Sequence, residues 1–215
     1  MKLKNNYFSY QFSELPKMFK KVILLFILLF LFINADSQKR IFHAGLLFGM
    51  TATQIHNDNS AGFNKIGLYA GGYVSTDFGK RIKFEIGMNY AAKGSRENSG
   101  DNNIGYNKYV ARLGYIEFPF VVKYRLNKFD IEAGLSIGFL LFGNEFVNGD
   151  KQQSVTDFKK FEFAGILGAS YMFNEKWGIE FRSQTSLLPI RTPTDGVFYT
   201  NGQGQYNIVM SFAVM

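Results

Sequence analysis

The chain has 215 residues, 47% hydrophobic and 17% aromatic, with 22 glycines, 4 prolines, no cysteine and a net charge of +7. That length suits one domain, and the aromatic content excludes a disordered chain. The missing cysteine excludes disulfide frameworks, thiolate metal sites and cysteine nucleophiles.

The first predicted element is a targeting segment. Lys17, Lys20 and Lys21 precede an unbroken apolar run, Val22 to Ile33. This run is shorter than the ~20 residues a spanning helix needs. Ala35 and Ser37 then form a small-x-small pattern that suits signal peptidase. The pattern predicts a signal peptide over 1–37, with Met18 as a candidate true start and cleavage after Ser37. The competing reading, an ordinary buried helix, fits the basic flank and terminal position poorly. Cleavage removes five lysines and two acids, so +7 falls to +4 over residues 38–215. An exported chain of modest charge argues against a nucleic-acid partner.

From Ile41 onward the sequence alternates with period two, the signature of strands. Eight strands are predicted, near 41–50, 65–77, 82–91, 110–126, 129–142, 160–173, 177–185 and 205–214. In 82–91 one face carries Ile82, Phe84, Ile86, Met88 and Tyr90; the other carries Lys83, Glu85, Gly87, Asn89 and Ala91. A helix would scatter these residues around its axis. The connections alternate in length. Residues 51–64, 92–109, 143–159 and 186–204 are long and polar, whereas 79–81, 127–128 and 174–176 are tight. This is the layout of an all-β, eight-stranded antiparallel up-and-down transmembrane β-barrel of the outer-membrane type. Both termini then lie on the short-turn, periplasmic side.

The turns predict a register. A two-residue loop at Asn127–Lys128 sets Lys123 opposite Glu132 and Arg125 opposite Asp130, both pairs of opposite charge. A three-residue loop at 174–176 sets Phe173 opposite Trp177. With Phe78 and Phe129 these form an expected interfacial aromatic girdle. Pro119 lacks a ladder donor, so a bulge is expected there. Arg112 and Gly114 fall on the nominal lipid face, which suggests a register shift above Tyr115.

The face opposite the bulky one combines glycines with long charged residues, which suits the crowded interior of a small barrel. The expected lumen charge network is Lys83, Glu85, Glu117, Lys123, Arg125, Asp130, Glu132, Lys160, Glu162, Glu180 and Arg182. Five glutamates and Asp130 against about five bases predict a near-neutral, plugged lumen and no selective pore. A proton or ion path is the competing reading of intramembrane charges. A soluble lipid-binding barrel would reverse the two faces.

Three stretches resemble the PorT-like outer-membrane β-barrel proteins of Gram-negative bacteria: KFEIGMNYAAKGS (83–95), LGYIEFPFVVKYRL (113–126) and IEAGLSIGFLL (131–141). The likeness spans about 45–215. It implies an eight-stranded barrel without catalytic motifs and, for some members, a part in protein secretion or surface maturation. The chain departs from the usual barrel ending, finishing Phe212-Ala213-Val214-Met215 where an aromatic commonly stands.

The expected location is therefore the bacterial outer membrane. The expected partners are its lipid and lipopolysaccharide, the barrel-assembly machinery during biogenesis, and an envelope or secretion protein. Catalytic chemistry is sparse. His43 opens the first strand at the periplasmic rim; His56 lies near Asp58 and Ser60 in a long loop and is the one candidate for a rim enzyme acting on lipid A or peptide. No catalytic, cofactor-binding or metal-binding residues are assigned. Asp101, Asn102, Asn103 and Asp150 lack a calcium-loop spacing, and the Gly-rich stretches at 71–72 and 202–204 precede no helix.

Overall fold

A computed structural model describes residues 42–58, 62–97, 109–152, 157–192 and 204–215. The expected signal segment lies outside these residues. The described chain forms nine strands: β1 (Phe42–His56), β2 (Lys65–Phe78), β3 (Ile82–Arg96), β4 (Tyr109–Leu126), β5 (Phe129–Val147), β6 (Asp150–Gln152), β7 (Phe161–Met172), β8 (Gly178–Ser186) and β9 (Tyr206–Val214). Eight of them make a ring. Each pairs antiparallel with its neighbours, β4 joins β5, and β1 closes on β9 from Phe48↔Val214 to His56↔Tyr206. The short β6 stands outside the ring and pairs only with the end of β5.

The register agrees with the turn reading. Lys123 pairs with Glu132 and Arg125 with Asp130. The Phe173 N–H donates to the Trp177 carbonyl at 3.0 Å. Asn127 takes φ +61°, which an Asn tolerates better than most residues.

Two expectations about irregularities sort differently. No bulge forms at Pro119. Pairing of β3 with β4 lapses between Ile86↔Phe120 and Asn89↔Glu117, then resumes in the same register. Gly87 explains this, because a Cβ there would stand 3.0 Å from the Pro119 ring. The glycine makes room for the proline without an extra residue. The register shift lies between Gly114 and Tyr115, where Leu141 of β5 is the surplus residue between Leu140 and Phe142. Inward residues of β5 are even-numbered below this bulge; above it Glu145 is the buried one.

The strands also run beyond the predicted ends. β1 extends to His56, β3 to Arg96 and β5 to Val147. Alternation of burial continues through Thr51, Thr53 and Ile55, and through Ala91, Lys93 and Ser95. Above the apolar band the outward residues turn polar, so the hydrophobic signal stops before the strand does. Asn148 and Gly149, at φ +55° and +92°, form the hairpin into β6. Asn-Gly is the strongest short hairpin signal, and the long-loop reading of 143–159 missed it.

The two faces differ in kind. Leu46 is 80% and Ile66 72% exposed on the outside, alongside Phe48, Ile86, Met88, Leu135 and Leu167. Inside lie Arg182, Lys123, Glu85, Glu132 and Glu162, all nearly inaccessible. A barrel in water would have these faces exchanged, so the soluble lipid-binding alternative fails.

Candidate functional site

The most organised group of polar side chains lies inside the barrel, near the tight-turn end. Lys123, Glu132, Glu85 and Glu180 are each a few residues from a tight turn, which brings them to a similar depth. Lys123 Nζ sits 2.8 Å from Glu85, 3.0 Å from Glu132 and 3.1 Å from Glu180. Arg182, 2% exposed, donates to Glu132 at 2.7 Å, Glu85 at 2.6 Å and Glu180 at 2.8 Å. Gly168 leaves the space for this cluster: a Cβ there would meet Glu132 Oε1 at 2.6 Å and Arg182 Cγ at 3.0 Å. The three carboxylates approach closely enough to cradle a cation, and the Lys123 ammonium and Arg182 guanidinium fill that role. Charges buried at this depth need such mutual compensation.

A second layer follows towards the long-connection end. Lys93 is fully buried and bridges Glu117 and Glu162, the latter at 2.9 Å. Gln184 donates to Glu117 at 2.8 Å, and Ser186 and Asn207 donate to Glu162 at 2.5 and 3.1 Å. At the top, Arg191 grips Glu145 through two bonds of 2.9 and 2.6 Å, while the Tyr109 hydroxyl donates to the same carboxylate. The Arg191 guanidinium also lies 3.8 Å from the Phe158 ring centroid. Around this pair Ile55, Tyr109, Ala111, Leu113, Tyr115, Phe158 and Ile190 form an apolar cluster inside the barrel. Phe158 and Ile190 come from connecting segments, so loop residues close that end of the lumen.

Of the residues expected in the lumen network, Glu85, Glu117, Lys123, Glu132, Glu162, Glu180 and Arg182 lie in these layers. Arg125 and Asp130 pair at 3.3 Å nearer the tight-turn mouth. Lys83 is half-buried there. These residues, with His43, Asp77 and Phe173, line a cavity of about 650 Å³.

Lys160 is a correction. It precedes β7 and is exposed, because the chain leaves the ladder at that point. Its place in the lumen is taken by Lys93, which 92–109 as a loop had hidden; unbroken parity from Lys83 through Ala91 was the available signal. Arg191 and Glu145 were missed because only the folded connection brings them together. The charge count stays close to balance once the mouth is included, where Lys83 and Arg125 join Asp130 to give seven acids against six bases. Across the three layers six carboxylates face four cations, and the amide and hydroxyl donors Gln184, Ser186 and Asn207 compensate the excess.

Phe78, Phe129, Phe173 and Trp177 all stand exposed on the outside at the tight-turn end. Phe129 and Tyr171 are 4.6 Å apart, and Tyr171 and Phe173 5.4 Å, centroid to centroid. The histidines occupy opposite ends. His43 Nε2 meets Asp77 at 3.3 Å by the mouth, whereas His56 is exposed at the far end of β1, opposite Tyr206. Asp58 is buried, and Ser60 lies outside the described residues.

A family model described as outer membrane protein beta-barrel domain matches residues 34–191. The chain belongs to this family. Its closed eight-stranded barrel, with apolar residues outside and charge within, resides in the bacterial outer membrane. No curated protein matches the chain. Among solved structures, it is similar to Ail, the attachment invasion locus protein of Yersinia pestis. That match has 10% identity and a TM-score of 0.47, covering 80% of this chain and 95% of Ail. Ail solved in complex with the heparin analogue sucrose octasulfate matches with a TM-score of 0.46, at the same identity and coverage.

Proposed function

We propose that the protein is a non-enzymatic, non-conducting barrel whose long connections engage an envelope or secretion partner at the cell surface. The observation that carries this reading is the filled lumen. Two buried ion clusters and an apolar plug stack along the interior above the open tight-turn mouth, which leaves the outer connections as the surface free to act. The resemblance to PorT-like proteins supports a role in secretion or surface maturation. The reading includes a cleaved segment 1–37, delivery by the barrel-assembly machinery, a surround of lipid and lipopolysaccharide, and a periplasmic aromatic girdle of Phe78, Phe129, Phe173 and Trp177.

A planar-bilayer recording of the purified barrel tests the first half: the expected result is no steady current, and an ohmic conductance contradicts it. A photo-crosslinking residue at Gln152, on the exposed β6 hairpin, tests the second. In intact cells it should yield an adduct of one defined size, absent when the crosslinker replaces Lys80 in a tight turn. No surface adduct, or the same adduct from both positions, would refute partner engagement. Unchanged lipid A on His56→Ala is expected; altered lipid A would restore the rim-enzyme alternative.

A further inference from the structure

Arg96 and Arg112 are exposed on neighbouring strands, close to where the greasy outer face ends. Outward residues of β4 run Tyr124, Val122, Phe120, Phe118, Ile116 and Gly114 before Arg112; those of β3 begin at Ile82 and finish at Arg96. A tilted strand climbs roughly 2.5 Å per residue along the membrane normal. Arg112 is therefore roughly 30 Å above Tyr124, just past an apolar band about 25 Å tall. Arg96 stands slightly higher. The two are coupled through the ladder, since Arg112 pairs with Gly94 and Arg96 with Val110.

A third cation, Lys65, is buried on the lumen-facing side of the wall behind them and is no part of that outer surface. Lys65 opens β2, and its Cδ comes within 3.2 Å of where a Gly94 Cβ would stand. Both arginines are near enough to repel its ammonium. Among the described residues no carboxylate forms an ion pair with Lys65, Arg96 or Arg112, although Glu97 is next in the chain. The Arg112 guanidinium lies 4.9 Å from the Phe146 ring centroid, a contact that steadies it without neutralising it. Inside the barrel Lys93, Lys123 and Arg182 each have carboxylate partners, whereas the two outward arginines have no ion pair among the described residues.

We propose that Arg96 and Arg112 form a binding patch for the phosphate groups of lipid A in the outer leaflet. The charge is complementary, and guanidinium forks match phosphate oxygens through paired hydrogen bonds. The patch continues directly from the membrane face, at the height where that headgroup lies. The assignment rests on the long-connection end facing outward and is independent of any protein partner.

The test uses the barrel folded in detergent, its folding verified by heat-modifiable migration, and titrated with bisphosphorylated lipid A or the same lipid stripped of both phosphates. Binding is read by native mass spectrometry. The unmodified protein should hold the phosphorylated lipid roughly tenfold or more tightly than the stripped lipid. Arg96→Gln with Arg112→Gln should abolish that preference, whereas Lys151→Gln on the β6 hairpin should keep it. Equal retention of the two lipids by the unmodified protein would overturn the proposal, as would a full preference in the double variant. If the double variant does not fold, the two-lipid comparison on the unmodified protein and on Arg112→Gln alone decides.

Discussion

At the tight-turn end of the lumen, Lys123 and Arg182 share Glu85, Glu132 and Glu180; at the long-connection end, Ile55, Leu113, Tyr115, Phe158 and Ile190 pack as an apolar core around the Arg191–Glu145 pair. The two regions fill the same cylinder by different physics. In the lower one, the charges come from the strands themselves, and each is stable only because its counter-charges sit on neighbouring strands. In the upper one, connecting segments fold back inside and bury apolar surface. The lower arrangement is fixed by strand register. The upper one depends on how the loops return.

This contrast ranks the expected mutational effects. Arg182→Ala strands three carboxylates around one ammonium and should cost about 3–5 kcal/mol, read as urea unfolding in lipid vesicles. A loss under 1 kcal/mol would mean water already screens the cluster. Phe84→Arg tests the outside of the same wall and should cost about 2–4 kcal/mol near the midplane; free insertion of this variant would show that the face does not meet lipid. Ile190→Ala should cost about 2 kcal/mol, the low end for truncating a buried aliphatic side chain, because a loop relaxes around a cavity more easily than a strand does. A cost equal to that of Arg182→Ala would erase the distinction between the two ends. Glu145→Gln should be mildest, about 1–2 kcal/mol: the Gln oxygen still accepts from Arg191 or Tyr109, and the guanidinium keeps its contact with Phe158. The check is the same unfolding assay; a loss above about 3 kcal/mol, the cost of stranding a buried charge, would place this pair with the lower cluster.

The sequence carried the lower region well and the upper region poorly. Alternation across Ile82–Tyr90 sorted lipid-facing from lumen-facing residues, and the two short turns set Lys123 against Glu132 and Phe173 against Trp177. Both signals are local, so a single strand or hairpin suffices to read them. Lys93 was hidden because outward neighbours Ala92 and Gly94 no longer looked greasy, although parity alone placed it inward. Pro119 suggested a bulge because its missing donor is visible in sequence, whereas the compensating Gly87 lies on the facing strand. Arg191 and Phe158 carry no periodic signal, and Glu145 lies on β5 above the bulge that inverts parity, so their meeting requires two connections to return onto one strand. Lys160 shows the opposite error: parity extended one residue past the end of the ladder.

The most direct test of hydrocarbon outside and charge within is a spin-label scan along β3, for which the cysteine-free sequence is already suited. Single cysteines from residue 82 to 91, labelled in lipid vesicles, should show oxygen accessibility peaking at Ile82, Phe84, Ile86, Met88 and Tyr90 and falling at the residues between. Peaks at Lys83, Glu85, Gly87, Asn89 and Ala91, or no alternation at all, would contradict the account.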